Sequence, residues 1–199
     1  MSRVKICGLT RFEDIFIVNQ YKPDYVGFVF AESRRKVTKE QAKMLIKQLD
    51  KDIIPVGVFV DEYIANVVEI TKECHLKGVQ LHGKEDNSYI KNLRKELPDT
   101  FIIKAVKTTD NVENYLSDII LLDSANAGSG RVFDWETIKD YKKNYFLAGG
   151  LNGDNINSAL VKLNPFAVDV SSGVETNGMK DESKIKDFIL KVRRMNDDK

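Results

Sequence analysis

Cys7 stands two residues after Lys5 in the run Lys5-Ile6-Cys7-Gly8. A nearby cation favours the thiolate form of cysteine, which can accept a proton, so the pair reads as a candidate base; the plainer reading of a free cysteine is a small buried hydrophobe. Asp123 closes the apolar run Ile119-Ile120-Leu121-Leu122. A carboxyl group at the end of so apolar a stretch is a candidate general acid, because desolvation favours its protonated form, and otherwise it is a helix cap or a loop-bonded aspartate. Two segments, Ala148-Gly149-Gly150-Leu151 and Val170-Ser171-Ser172-Gly173-Val174, let the backbone approach an anion closely, and the second can open a short helix whose N–H groups point at it. Either one alone is as readily an ordinary tight turn. In two consecutive loops they favour a phosphate site, with Asp169 just ahead of the second as a further substrate-binding candidate. Arg34 and Arg35 belong either to a solvated loop or to a site where a planar guanidinium pairs with a substrate carboxylate through two hydrogen bonds. His82 has no second histidine or carboxylate at ligand spacing, so it reads as a hydrogen-bonded wall residue and no metal site is expected. Cys74, behind the helical Ile64, Val67 and Val68, reads as structural.

Residues so far apart meet only if the chain carries them to one place. Eight short runs rich in β-branched and aromatic residues recur, at 4–7, 25–30, 53–60, 78–81, 101–106, 119–122, 145–148 and 166–170. Several are apolar on both faces, as strands covered on both sides must be, which predicts a parallel sheet wrapped by helices. Between them, Ala42, Leu45, Ile46 and Leu49 keep helical spacing, as do Ile156, Ala159, Leu160 and Leu163, and again Ile185, Phe188, Ile189 and Val192. Helix-start chemistry marks the junctions: the segments 10–13 and 38–41 fit the capping box, and Asp61, Asp110, Asp134, Asn152 and Asp181 are further candidate caps. Eight strand-then-helix units over residues 1–199 predict an α/β protein, a single-domain (βα)8 TIM barrel. The tightest unit is the fifth, where residues 110–116 leave room for about two helical turns. The alternative is an open doubly wound sheet, whose glycine fingerprint after the first strand is missing from Cys7-Gly8-Leu9-Thr10. In a barrel the reactive groups gather at the C-terminal ends of the strands, where Lys5, Cys7, Arg34, Arg35, Gln80, His82, Lys104, Lys107, Asp123 and Asp169 would all lie.

Composition narrows the partners. With 31 Lys+Arg against 30 Asp+Glu and 42% hydrophobic residues, the chain has enough apolar content to offset ordering entropy and no basic excess of the kind a nucleic-acid binder carries. No stretch is long enough to cross a bilayer, and the opening Met1-Ser2-Arg3-Val4-Lys5 is too short an approach to Gly8 for a signal peptide. Two cysteines without paired spacing make neither a disulfide framework nor a zinc knuckle, so a cytoplasmic protein that handles a small molecule is expected, with no membrane and no nucleic-acid partner.

Taken together, Lys5-Ile6-Cys7-Gly8-Leu9-Thr10, Gly27-Phe28-Val29-Phe30, Val56-Gly57-Val58-Phe59-Val60, Val79-Gln80-Leu81-His82-Gly83, Leu121-Leu122-Asp123, Gly128-Ser129-Gly130 with Phe133-Asp134-Trp135, Ala148-Gly149-Gly150-Leu151 and Val168-Asp169-Val170-Ser171-Ser172-Gly173-Val174-Glu175 resemble the phosphoribosylanthranilate isomerase family, in order and over almost the whole chain. Any one block is weak evidence, and the ordered set is specific. The resemblance implies an enzyme of tryptophan biosynthesis that converts N-(5′-phosphoribosyl)anthranilate to 1-(o-carboxyphenylamino)-1-deoxyribulose 5-phosphate by an Amadori rearrangement, without metal or organic cofactor. The family's general base matches Cys7, its general acid Asp123, and its anthranilate-binding arginine Arg35, with Arg34 adjacent. The loop after Asp123 looks abbreviated against the family.

The implied chemistry suits those side chains. A furanose opens when its ring oxygen takes a proton as the bond to C1′ breaks, which calls for an acid. The iminium that results acidifies the C2′ hydrogen, which a thiolate can remove, and positioning by a phosphate anchor and a carboxylate anchor supplies the rest. The nearest rival is the isomerase of histidine biosynthesis that rearranges another aminoaldose phosphate and uses an aspartate where Cys7 stands. The lyase-type barrel that closes the indole ring would need lysine and glutamate motifs that are missing here. A non-catalytic phosphosugar-binding barrel is the reading from a different class, and the chain is expected to be a monomer or homodimer.

Overall fold

The computed structural model describes residues 1–107, 115–123, 141 and 144–197, the side chains of residues 107, 196 and 197 excepted. The β-branched and aromatic runs form eight parallel strands: β1 Arg3–Cys7, β2 Tyr25–Val29, β3 Ile54–Phe59, β4 Gly78–Leu81, β5 Phe101–Lys107, β6 Ile119–Asp123, β7 Tyr145–Leu147 and β8 Ala167–Val170. Each pairs with the next, and β8 returns to β1 with Lys5 opposite Asp169, so the sheet closes into the predicted (βα)8 class of barrel. Six helices are described: α1 Phe12–Tyr21, α2 Lys39–Lys47, α3 Ile64–Glu73, α4 Asn87–Glu96, α5 Ile156–Leu163 and α6 Glu182–Asp197. The candidate caps Asp110 and Asp134, the helix expected in the fifth unit, and the segments Gly128-Ser129-Gly130 and Phe133-Asp134-Trp135 lie outside the described residues. Among the described residues no helix is long and apolar enough to cross a membrane.

Side chains alternate across each strand, and a closed barrel turns that alternation into two separate cores. Val4, Ile6, Val26, Phe28, Val79, Leu81, Ile120 and Val168 point outward and pack under the helices, against residues such as Leu45, Val67, Leu93, Leu160 and Phe188. Tyr25, Val56, Ile103, Ala105, Ile119, Leu121, Phe146 and Ala167 point inward and fill the barrel. At its N-terminal end the filling is aromatic: Tyr25 meets Phe146 edge-on at 5.2 Å, Phe166 lies 6.0 Å from Phe146, and the Arg3 guanidinium covers the Phe166 ring at 4.9 Å. With that end plugged, the polar inward positions are left at the C-terminal end.

Local cap chemistry places several helix starts. Thr38 accepts from the Gln41 N–H while the Gln41 side chain accepts from the Thr38 N–H, a complete capping box ahead of α2. Asp181 accepts from the Lys184 N–H ahead of α6, and Asn152 accepts from Asp154 and Asn155 in the turn that leads into α5. Two expectations are corrected. At α1 the acceptor is Asp14 rather than Glu13: its carboxylate takes the N–H groups of Thr10 and Arg11, because the helix starts at Phe12 with Arg11 as its cap residue. Asp61 does not cap α3; it has φ 50, its own N–H donates to Glu85, and its carboxylate accepts from the Lys84 N–H, which ties the loop after β3 to the loop after β4.

Candidate active site

The C-terminal ends of the strands surround a cavity of about 380 Å³. Cys7, Arg35, Asp123, Gly149, Gly150, Asp169, Ser171 and Ser172, drawn from β1, β6, β8 and the loops after β2, β7 and β8, all line it. Gly173, also expected there, is not on its wall. A methyl group on Gly173 would stand 1.9 Å from the Leu151 carbonyl oxygen, so this glycine lets the loop after β8 pack against the loop after β7.

Cys7 ends β1 on the inward side, and its neighbour across the β1–β2 ladder is Gly27. A methyl group there would come within 2.6 Å of Sγ, so the missing side chain of Gly27 is the space the thiol occupies. The expectation that Lys5 would hold Cys7 as thiolate is corrected. Burial pushes the Cys7 thiol up, and the opposing pull of Lys5 and Lys180 does not cancel it. Lys5 is shared with other partners, and the Asp169 charge beside it adds to the burial effect. Its ammonium is fully buried in the barrel and donates to both carboxylate oxygens of Asp169, at 3.1 and 3.0 Å, and to Gln80 Oε1 at 2.9 Å. Burial works against the Lys5 charge, but Asp169 and Cys7 outweigh it and leave its pKa above the ordinary lysine value.

Asp123 ends β6, inward by the same alternation that buries Ile119 and Leu121. Its carboxyl group is not sealed in apolar surroundings: it is 27% exposed and its Oδ2 lies 3.2 Å from His82 Nε2. His82 Nδ1 in turn meets Gln80 Nε2 at 3.0 Å. His82 is therefore a hydrogen-bonded wall residue, as its isolated position in the sequence suggests.

The two arginines separate by burial. Arg35 is 20% exposed and lines the cavity, whereas Arg34 is 56% exposed and does not. Neither belongs to a merely solvated loop, because both grip Glu175. Arg35 Nε and Nη2 bond its two carboxylate oxygens at 2.6 and 2.9 Å, Arg34 Nη2 adds a bond at 2.5 Å, and Lys180 Nζ a fourth at 2.9 Å. Burial alone would raise the Glu175 pKa, but the bonds from Arg35 and Lys180 hold it below the usual carboxylate range. Gly8 makes the arrangement possible. It has φ 82, a conformation glycine adopts without cost, and a methyl there would strike Arg35 Cδ at 2.4 Å.

Glu175 and Lys180 come from a hairpin that sequence reasoning missed, β9 Glu175–Thr176 with β10 Met179–Lys180, directly after a short 3-10 turn, Ser172–Val174. The available signal was the oddity of an acidic residue just after an anion-binding loop. Nothing local ties it to an arginine 140 residues away. Lys180 also donates to the Ser171 carbonyl at 3.0 Å, and Ser171 Oγ donates to the Cys7 carbonyl at 3.0 Å, so one polar network joins the Arg35 loop, the loop after β8 and the end of β1. Gly149 and Gly150 have φ of 88 and 66, and their N–H groups and those of Ser172 and Gly173 enter no loop or turn hydrogen bond among the described residues. Spare N–H groups on two adjacent loops, beside a turn of helix, can hold an anion.

Comparison with known proteins agrees with this architecture. The family model described as N-(5′phosphoribosyl)anthranilate (PRA) isomerase matches residues 4–191. A relative from Clostridium kluyveri named N-(5′-phosphoribosyl)anthranilate isomerase is 49% identical over 202 residues, which cover 98% of this chain and all of the relative. Among solved structures, the phosphoribosyl anthranilate isomerase of Thermotoga maritima superposes with a TM-score of 0.86 at 38% identity, covering 98% of this chain and all of that one. A phosphoribosyl anthranilate isomerase solved in complex with reduced 1-(o-carboxyphenylamino)-1-deoxyribulose 5-phosphate gives a TM-score of 0.83 at 37% identity, again over 98% of this chain and all of that one. A barrel whose mouth gathers a thiol, a carboxyl group, a cavity-facing guanidinium and two glycine loops, with such similarity along its whole length, leaves one conclusion: the chain belongs to the N-(5′-phosphoribosyl)anthranilate isomerase family.

Proposed function

We propose that the chain catalyses the cofactor-independent Amadori rearrangement of N-(5′-phosphoribosyl)anthranilate to 1-(o-carboxyphenylamino)-1-deoxyribulose 5-phosphate, a step of tryptophan biosynthesis, with Cys7 as general base and Asp123 as general acid. Asp123 gives a proton to the ring oxygen as the bond from that oxygen to C1′ breaks, and the anthranilate nitrogen supplies the electron pair that makes the C1′ iminium. The Cys7 thiolate takes the C2′ hydrogen, and the electrons of that bond form the double bond of an enolamine while the iminium pair returns to nitrogen. The C2′ enol then loses its hydroxyl proton and C1′ gains one, which gives the ketone. Arg35, already held through Nε and Nη2 by Glu175, turns its remaining edge to the anthranilate carboxylate. The loops carrying Gly149, Gly150, Ser171, Ser172 and Gly173 take the phosphate, and Asp169 faces the sugar hydroxyls with the lone pairs that Lys5 leaves unused.

The observation that carries this reading is the meeting of Cys7 and Asp123, from non-adjacent strands, on one cavity wall together with Arg35 and both glycine loops. A thiol at the base position separates it from the histidine-pathway isomerase, and a paired acid and base separate it from a binding-only barrel. Two cysteines with no disulfide between them suit a reducing, cytoplasmic setting. The deciding assay is steady-state turnover of freshly generated phosphoribosylanthranilate. Cys7→Ala and Asp123→Asn are expected to lose about 10²–10⁴ in kcat each while still binding a phosphate-bearing product analogue, and Arg35→Ala is expected to raise KM instead. Full kcat in either of the first two removes that residue from the mechanism.

A further inference from the structure

Lys5 Nζ has only hydrogens to offer, so the Gln80 atom it meets at 2.9 Å is the amide oxygen. The other end of that amide, 3.0 Å from His82 Nδ1, is then a donor, and a donor there requires Nδ1 to be the bare, accepting nitrogen of the ring. The ring hydrogen is thereby fixed on Nε2, 3.2 Å from Asp123 Oδ2. All links in the row run in one direction, from an ammonium on β1, through an amide on β4 and an imidazole just beyond it, to a carboxyl group on β6. Lys5 is held in that orientation by both oxygens of Asp169 and has no access to solvent.

We propose that Lys5 and Gln80 lock His82 in its Nε2–H tautomer, and that His82, so locked, is a positioning residue that ties Asp123 Oδ2 and leaves Oδ1 to the substrate. The proposal rests on the reading of Asp123 as general acid and deepens it. A carboxyl group with one oxygen engaged by a donor carries its proton on the other, so the hydrogen to be delivered sits on Oδ1, which has no partner among the described residues. As that proton leaves, negative charge builds on Asp123, and the Nε2–H bond to Oδ2 becomes a charge-assisted one. It is therefore stronger in the transition state than in the ground state, the condition under which an interaction raises kcat rather than affinity. The opposite tautomer would put a bare nitrogen against Oδ2 and repel the charge.

His75 is the only other histidine in the sequence, so two-bond 15N–1H spectra have two rings to separate, and His82→Gln identifies the one of interest. At mildly alkaline pH the substrate-free protein is expected to show His82 with its hydrogen on Nε2, and Gln80→Met, which removes the donor to Nδ1, is expected to let the Nδ1–H form appear. In the assay, His82→Ala should lose about 10- to 100-fold in kcat with KM moved far less. His82→Gln places an amide N–H near the old Nε2 without help from Gln80, so it should recover most of that loss, and adding Gln80→Met to it should cost little more. An Nδ1–H or doubly protonated ring in the wild type overturns the lock, and an unchanged kcat in His82→Ala overturns the positioning role. If Gln80→Met fails to fold, the wild-type spectrum and His82→Gln still decide. Full activity in Asp123→Asn would instead sink the acid assignment, and the spectrum would read the tautomer regardless.

Discussion

Burial costs the thiolate of Cys7 more than Lys5 and Lys180 return to it, so the site favours the protonated thiol at the residue proposed as base. The sign of the pH dependence follows. Ionisation of the Cys7 thiol should occur only beyond the usual cysteine range, with burial as the cause. Thiolate absorbance of the wild type less that of Cys7→Ala, followed against pH, checks this, and a thiolate already formed at neutral pH would contradict it. That feature was not legible in the chain. The sequence puts an ammonium two residues from a thiol, which argues for ionisation, but the two facts that reverse it are non-local: Asp169, 164 residues away, takes up Lys5, and barrel closure removes the solvent. By contrast, the position of Cys7 at a strand end and of His82 as a hydrogen-bonded wall residue could be read from local pattern.

At the scale of strands and loops, glycines decide where reactive side chains fit. Gly27 on β2 gives Cys7 Sγ its space, and Gly27→Ala should therefore displace the thiol and lower kcat by about 10²-fold through misplacement of the proposed base, with a stability loss of about 1–3 kcal/mol from overpacking. Turnover measurements beside urea denaturation separate the two effects, and a fully active, stable Gly27→Ala would show that the strand gives way. The eight strands were legible because each is a short apolar run, and the α2 start because a capping box is complete within four residues. The α1 start was off by one residue, since only Thr10 and Glu13 fit the sequence pattern, whereas the accepting carboxylate is Asp14, three residues after an arginine that the pattern does not recognise. The hairpin of β9 and β10 stayed hidden for a different reason. Two residues per strand are too few to show alternation, and Glu175 is held there by Arg34, Arg35 and Lys180, two of which arrive from the far end of the sequence.

For the molecule as a whole, closure depends on the seam between β8 and β1 and on α6, which packs over it with Ile185, Phe188, Ile189 and Val192 buried. Phe188 has no exposed surface and belongs to the layer between barrel and helices. Phe188→Ala should cost about 3–5 kcal/mol, read as a lower urea midpoint, while KM of the folded fraction stays unchanged because Phe188 does not line the cavity. A large KM shift would mean that the loss of Phe188 is transmitted to the mouth. Chain order and unit size made this architecture readable in advance, whereas the pairing of Lys5 with Asp169 needed the register of closure. The alternation that separates the two layers also sorts the letters of every strand into two vocabularies. Outward positions away from the mouth, such as Val26 and Phe28, are where replacements would be sought for heat tolerance, and inward positions near the mouth are where they would alter the reaction.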